Sequence, residues 1–288
     1  MDFNRIRNWI SRNFAAVVGI VGVILVTGFL LQQVTGEHKD PHGTVVTGVL
    51  QTAQGEHKCF SLPDQSEACL NTNTVVRYAH SADARNNELV SGEATFKIRR
   101  HDPRPFAVLS GSFLIRDVAT QFNVYRKDDS TWLTVVDGLV KVTLARLDEP
   151  ARSAFKSGSA EPDWTASQEY HRLQQVEFDE STGRLYEHPA LTEQDLSQLL
   201  AWHRGRIDLN NRTLSNALAE FSRYQRIDAI SIRDPSLRNL HLGGELDTSS
   251  LKDFLQYLTK EHDVRAQLLT AADGKKTVTL SRQHLKGD

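Results

Sequence analysis

Cys59 and Cys69 are the only two thiols in 288 residues, and they stand ten positions apart. Pro63-Asp64 lies midway and signals a turn. With Lys58–Leu62 and Ala68–Asn71 as the arms of a hairpin, the thiols face one another, and an oxidising compartment closes the bridge. So small a loop stabilises by roughly 2.5–3 kcal/mol through chain entropy. The alternatives are two free thiols or a metal site, the latter lacking a second Cys or His pair at ligand spacing. The other reactive side chains form no catalytic pattern. There is no Gly-x-Ser-x-Gly, no P-loop, no His-Glu-x-x-His and no glycine-rich dinucleotide loop. The expectation is a chain that is not an enzyme and takes no cofactor. His38 and His42 are spaced i, i+4, but Pro41 breaks a helix there and the pair reads as linker. Glu177, Asp179 and Glu180 read as a solvated loop, and Arg99, Arg100 and Arg104 as a turn between strands. Trp202 is either a core residue or a partner's anchor.

Composition narrows the classes further. Thirty-four basic residues less 36 acidic leave a net charge of −2, with a pI near 6.6. No basic surplus exists to neutralise phosphates, so nucleic acid is not expected as a partner. Apolar residues make up 39%, enough for a folded core, while a mean hydropathy of −0.42 excludes a polytopic membrane protein. One apolar run remains, from Phe14 to Leu31 (FAAVVGIVGVILVTGFLL). At ~1.5 Å per residue it spans ~27 Å, close to the hydrocarbon core of a bilayer. Arg5, Arg7 and Arg12 precede it and Glu37 and Asp40 follow, so the N-terminus is expected in the cytoplasm and the bulk of the chain outside. A cleaved signal peptide is the alternative, but the run is long for one and lacks a small-residue cleavage site. The expected organisation is a cytoplasmic stub (1–13), a transmembrane helix (14–33), a linker (34–44), a β domain (45–147), a second linker (148–190) and an α+β domain (191–283).

The β domain is read from short alternating segments at roughly ten-residue spacing. They are Thr44–Leu50, Val75–Tyr78, Ala94–Ile98, Phe106–Leu109, Phe113–Val118, Phe122–Tyr125, Trp132–Val136 and Leu139–Leu144. This spacing predicts an all-β sandwich, barrel or solenoid. Asp137-Gly138 predicts a tight hairpin that pairs Val135 with Val140 and Leu133 with Val142. In the second linker one short strand is expected, Gln175–Phe178.

Beyond Leu191 the chain repeats itself. Thr192 opens a helix with Asp195 as the partner of a capping box. Arg206–Leu209 reads as a strand, and Thr213 caps a helix whose stripe is Leu214, Ala217, Leu218 and Phe221. A strand with Ile227, Ile230 and Ile232 follows. About 37 residues on, a strand at Leu240–Leu246, a cap at Thr248 and a stripe of Leu251, Phe254, Leu255 and Leu258 repeat the unit. Val264–Leu269 is the returning strand, and Thr277–Leu280 a last edge strand. Two βαβ units bury both helices on one face of a small sheet and leave its edges for a partner. The residues expected to meet that partner are Trp202, Ile207, Leu209, Ile230, Ile232, Leu240 and Leu242.

Two sets of motifs carry a family likeness. Gly55-Glu56, Leu62-Pro63-Asp64, Leu70-Asn71, Leu89-Val90-Ser91-Gly92-Glu93-Ala94-Thr95-Phe96, Arg104-Pro105-Phe106, Thr120-Gln121-Phe122-Asn123-Val124 and Val136-Asp137-Gly138 occur in order. Together they resemble the periplasmic domain of FecR-type regulators, the sigma-regulating partners of TonB-dependent receptors. Trp202-x-x-Gly205-x-Ile207-x-Leu209, Thr213-Leu214, Glu220-Phe221-x-Arg223-Tyr224 and Gly243-Gly244-Glu245-Leu246 are similar to the family's C-terminal module, which is akin to the secretin and TonB short N-terminal (STN) domain.

The resemblance implies a single-pass inner-membrane protein whose periplasmic part binds the signalling domain of a TonB-dependent outer-membrane receptor. Its output is sigma-factor activity in iron or siderophore-type uptake, exerted on an ECF-type sigma factor directly or indirectly, with a membrane protease as a further partner. Two departures shape the expectation. Only a short basic stub precedes the span, in place of the usual cytoplasmic anti-sigma domain, so the signal is expected to leave through another protein. Some relatives cleave themselves at a Gly-Thr bond, whereas this chain has Ala119-Thr120, so efficient self-cleavage is not expected. The alternative reading is a membrane-anchored periplasmic scaffold or assembly factor built on an STN-like module.

Overall fold

The computed structural model describes residues 44–117, 120–144, 148–158 and 166–283. The expected stub, span and His38/His42 pair lie outside these residues, as does Ala119. Among the described residues no helix is long and apolar enough to cross a membrane.

Alternation builds the first part. In β8 (Gln121–Lys127) Phe122 and Val124 are buried in a large apolar core, while Asn123 and Tyr125 lie on the other face. The same rule runs through β1 (Val46–Gln51), β2 (Lys58–Ser61), β3 (Glu67–Leu70), β4 (Val75–His80), β5 (Arg85–Lys97), β6 (Phe106–Ser110), β7 (Phe113–Asp117), β9 (Ser130–Asp137) and β10 (Leu139–Leu144). In the stretch 148–190, expected as a linker with one strand at Gln175–Phe178, that strand forms as β12 (Gln175–Asp179), and α1 (Glu149–Lys156), β11 (Gln168–His171) and β13 (Arg184–Glu187) form beside it. One curled sheet results. Its first half runs β1-β4-β5-β6-β7-β10-β11 and its second β2-β3-β5-β8-β9-β12-β13. The thirteen-residue β5 serves both halves. It turns from one to the other at Gly92, where φ is +86° and a Cβ would lie 2.3 Å from the Thr74 hydroxyl; only glycine fits there. Phe96, Phe122, Val124, Leu133 and Val176 from the second half meet Phe106, Phe113, Ile115, Val140 and Val142 from the first in the shared core.

The Asp137-Gly138 hairpin is not formed. Val135 pairs with Phe122 and Leu133 with Val124, both in β8. Val140 pairs with Asp117 and Val142 with Ile115, both in β7. At Gly138 (φ +83°) the chain leaves the second half of the sheet for the first. Alternate residues on both sides of such a corner face one core from opposite walls, so the pattern mimics a hairpin.

Each outer face of the curled sheet is covered differently. On the first, Phe155 of α1 packs on Ala107, Leu109 and Leu114. Against the second lies the C-terminal module, with α2 (Glu193–Leu199), β14 (Arg206–Asp208), α3 (Leu214–Tyr224), β15 (Ala229–Ile232), β16 (Glu245–Asp247), α4 (Leu251–Glu261), β17 (Val264–Thr270) and β18 (Lys276–Arg282). The order strand–helix–strand occurs twice, but not on the one small sheet expected: β14 pairs with β16, while β15, β18 and β17 form a separate sheet. Both helix stripes are buried, and Phe221 stacks on Phe254 with ring centres 4.1 Å apart. The Thr192/Asp195 capping box and the Thr213 cap form as expected.

Three details of the module differ from expectation. The second unit opens with a 3₁₀ turn (Pro235–Asn239) and the short β16 instead of a strand at Leu240–Leu246. Its helix is capped by Ser250, because the Thr248 backbone is tied to Gly205 and Gln225. Thr277–Leu280 is no edge: β18 lies between β15, parallel to it, and β17, antiparallel.

Candidate functional site

Of the seven residues expected to meet a partner, Trp202, Ile207, Leu209 and Leu242 lie at most 5% exposed in the module's own core. They cannot present a surface in this conformation, which corrects that expectation. Trp202 even keeps its indole N–H buried without a hydrogen-bond partner. Ile232 and Leu240 pack partly buried on the same core. Ile230 alone is exposed, on β15.

The densest polar chemistry lies elsewhere, where the module meets the second half of the sheet. Strand alternation sends Glu93 and Thr95 of β5 and Asn123 and Tyr125 of β8 to the outer face, because Ala94, Phe96, Phe122 and Val124 point into the core. Arg223 and Tyr224 come from the last turn of α3. Glu93 Oε2 pairs with Arg223 at 2.5 Å. The Asn71 amide donates to Glu93 Oε2 at 2.8 Å and to the Tyr224 hydroxyl at 2.9 Å, and the Asn123 amide donates to Glu93 Oε1 at 3.0 Å. Arg223 also pairs with Glu220 at 2.9 Å and lies 4.3 Å from the Tyr125 ring centre. Thr95 donates to Asn123 Oδ1 at 2.8 Å, leaving its oxygen to accept from His203 Nε2 at 2.9 Å.

The end of α3 is received by loops of the β domain. The Gln54 amide reaches the carbonyls of Ser222 and Arg223, and the Thr72 hydroxyl donates to the Arg223 carbonyl at 3.1 Å. These satisfy helix-end carbonyls that would otherwise have no partner. Cys69 is packed into the module's core cluster with Trp202 and Phe221. The Cys59–Cys69 disulfide, formed across directly opposed positions of β2 and β3, therefore stands beside this junction.

Electrostatics follow from burial. Desolvation would depress the Arg223 guanidinium, but Glu93 and then Glu220 overcome it and hold the group above its ordinary value. Burial raises Tyr125 to about 12 and moves Tyr224 further up. Burial lowers His203 and outweighs the attraction of Glu93, so its ring is neutral at pH 7. The arrangement is an ion pair with both oxygens of Glu93 hydrogen-bonded. It can hold two bodies together while their charges stay matched.

A second buried cluster lies wholly within the β domain. Asp64 pairs with Arg85 at 2.7 Å, accepts from Ser66, and faces His80 Nδ1 at 4.0 Å. Of the other residues singled out, Arg104 forks onto Asp102 and Arg100 meets Asp137, as a turn between strands would have it. Glu180 meets Arg126, and Glu177 meets Ser130 and His188. Thr120 is 4% exposed.

Asn71, Glu93, Asn123, Arg223 and Tyr224 were each part of a family motif, yet sequence reasoning gave them no role. Their signal was a polar residue kept at outward positions between buried apolar ones. The FecR protein family model matches residues 48–141. Two crystal structures of a candidate anti-sigma factor from Parabacteroides distasonis share the fold, each at 21% identity and a TM-score of 0.56. The likeness covers 81% and 82% of this chain and 99% of that chain, so it reaches beyond the β domain. Among curated proteins none matches. The likeness to the FecR protein family is carried by residues 48–141, within the β domain.

Proposed function

We propose that the chain regulates a sigma factor by transmitting a signal through protein–protein contacts. In this reading it is anchored in the inner membrane by the apolar run at 14–33, with the described residues in the periplasm. Its STN-like C-terminal module receives the signalling domain of a TonB-dependent outer-membrane receptor. An ECF-type sigma factor responds, directly or through a further membrane protein or protease, and iron or siderophore-type uptake is the regulated process. No covalent chemistry is required; the receptor need only bind two states of the chain unequally.

The observation that carries the reading is a FecR domain whose outer sheet face is clamped to the C-terminal module by a buried charged cluster. Such a junction is a place where binding on the module can be felt in the β domain. For the receptor itself, β15 offers a strand edge: among the described residues it pairs only with β18, and Ile230 on it is 40% exposed. The test is co-purification of the full chain with receptor signalling domains. Binding that falls at least tenfold in Ile230→Asp supports the reading, and a folded chain that binds none of them overturns it. A reporter active only in the cytosol, fused after Asp288, stays dark if the topology is right.

A further inference from the structure

A cleft of about 390 Å³ opens between the second half of the sheet and the module. Its charged lining is mostly self-satisfied. Glu93 and Glu220 are taken by Arg223, and the Asp195 carboxylate by the N–H and hydroxyl of Thr192. Arg212 is the exception. Its Nε is buried in the cleft wall with no hydrogen-bond partner. Its backbone is pinned on both sides, since its N–H donates to the Leu209 carbonyl and its carbonyl accepts from Leu242, so the guanidinium is presented from a fixed loop.

Two aromatic rings complete the wall. Tyr125 and Trp132 stack with centres 5.6 Å apart, and both line the cleft. The Tyr125 hydroxyl makes no hydrogen bond among the described residues. An arginine with an unfilled donor, an unfilled phenol and an indole thus line one space of ligand size at a junction of two bodies, where small-molecule sites commonly form. A buried donor without a partner is unfavourable, and an oxyanion would satisfy it. Arginine matches the planar, two-oxygen geometry of a carboxylate.

We propose that this cleft binds a small carboxylate with a flat, apolar body, the carboxylate meeting Arg212 and the Tyr125 hydroxyl, the body lying against Trp132. The site is independent of the regulatory reading above: it can exist whether or not a receptor binds the module.

The test is calorimetric titration of the full chain with benzoate and indole-3-acetate as probes. Saturable binding of at least one of them at one site per chain is expected. Benzamide, with the ring but no charge, and acetate, with the charge but no ring, should each bind at least tenfold more weakly. Arg212→Gln should lose at least tenfold in affinity for that probe with an unchanged unfolding midpoint. Failure of both probes to bind the wild-type chain overturns the proposal, as does benzamide binding as well as benzoate or a folded Arg212→Gln that binds unchanged. The contrast of charged and neutral probes uses the wild-type chain, so the test stands even if Arg212→Gln does not fold.

Discussion

Two buried ion pairs in this chain have nearly the same chemistry and different reach. Asp64–Arg85 joins residues 21 apart, both essentially without solvent exposure, inside the β domain. Glu93–Arg223 joins residues 130 apart and ties the β domain to the C-terminal module, with Arg223 19% exposed. Each has amide or hydroxyl groups filling the remaining oxygens: Ser66 beside Asp64, and Asn71 and Asn123 beside Glu93. The difference teaches that a satisfied charge cluster is structural where its members belong to one body and can be opened where they belong to two. The first cluster can open only as the curled sheet unfolds. The second can open while each body keeps its own core.

The comparison can be broken by mutation. The largest effect is expected from Asp64→Ala, which strands a buried Arg85. It should cost about 3–5 kcal/mol and lower the unfolding midpoint by about 10 °C in calorimetry, with the β domain and module melting together. Replacing both Cys59 and Cys69 by Ser should cost about 3 kcal/mol, measured by denaturant titration with the slope checked for a change in the unfolded state. Arg223→Ala should cost about 1.5–3 kcal/mol and split the melting transition, the module leaving first; a single transition shifted as a whole would erase the distinction between the clusters. Tyr224→Phe removes one hydrogen bond at the same junction and should cost about 1 kcal/mol by the same assay.

The pH dependence sharpens the contrast and is the smallest effect. Burial holds His80 below its ordinary value of 6.5, against the attraction of Asp64. The unfolded chain takes up a proton near pH 6.5 while the native chain resists it. Stability is therefore full above about pH 6.5 and falls as the pH drops below it toward the native value. His203 shifts in the same sense by burial. His80→Gln should flatten the dependence of global unfolding, and His203→Gln only that of the junction, both read from midpoints between pH 5 and 8.

Much of the architecture was legible because burial in a sheet is written as alternation. Phe122 and Val124 against Asn123 and Tyr125 is such a case, and the Leu214/Leu218/Phe221 stripe recurring at Leu251/Leu255/Leu258 is its helical counterpart. The first half of β5 was missed because Arg85, Asn86 and Asn87 are polar yet at most 3% exposed; hydrogen bonds, not hydrophobicity, keep them inside. The strands β11 and β13 were missed because QEYH and RLYE carry too few apolar residues to show a period. The Asp137-Gly138 corner misled because alternation reports which wall faces the core and not which strand lies alongside. The junction was illegible for a related reason: its residues come from segments 108 to 169 positions apart, and each alone looks like an ordinary surface polar residue.

The central claim is that the Glu93–Arg223 cluster holds two bodies that are otherwise separately stable. Native-state hydrogen exchange on the full chain, wild type against Arg223→Ala, tests it most directly. Amides of α3 and of the outer-face strands β5 and β8 near Glu93 should exchange about tenfold or more faster in the variant, while those of β6, β7 and β10 keep their protection. Equal loss of protection across the whole chain, or no change at α3, would contradict the account.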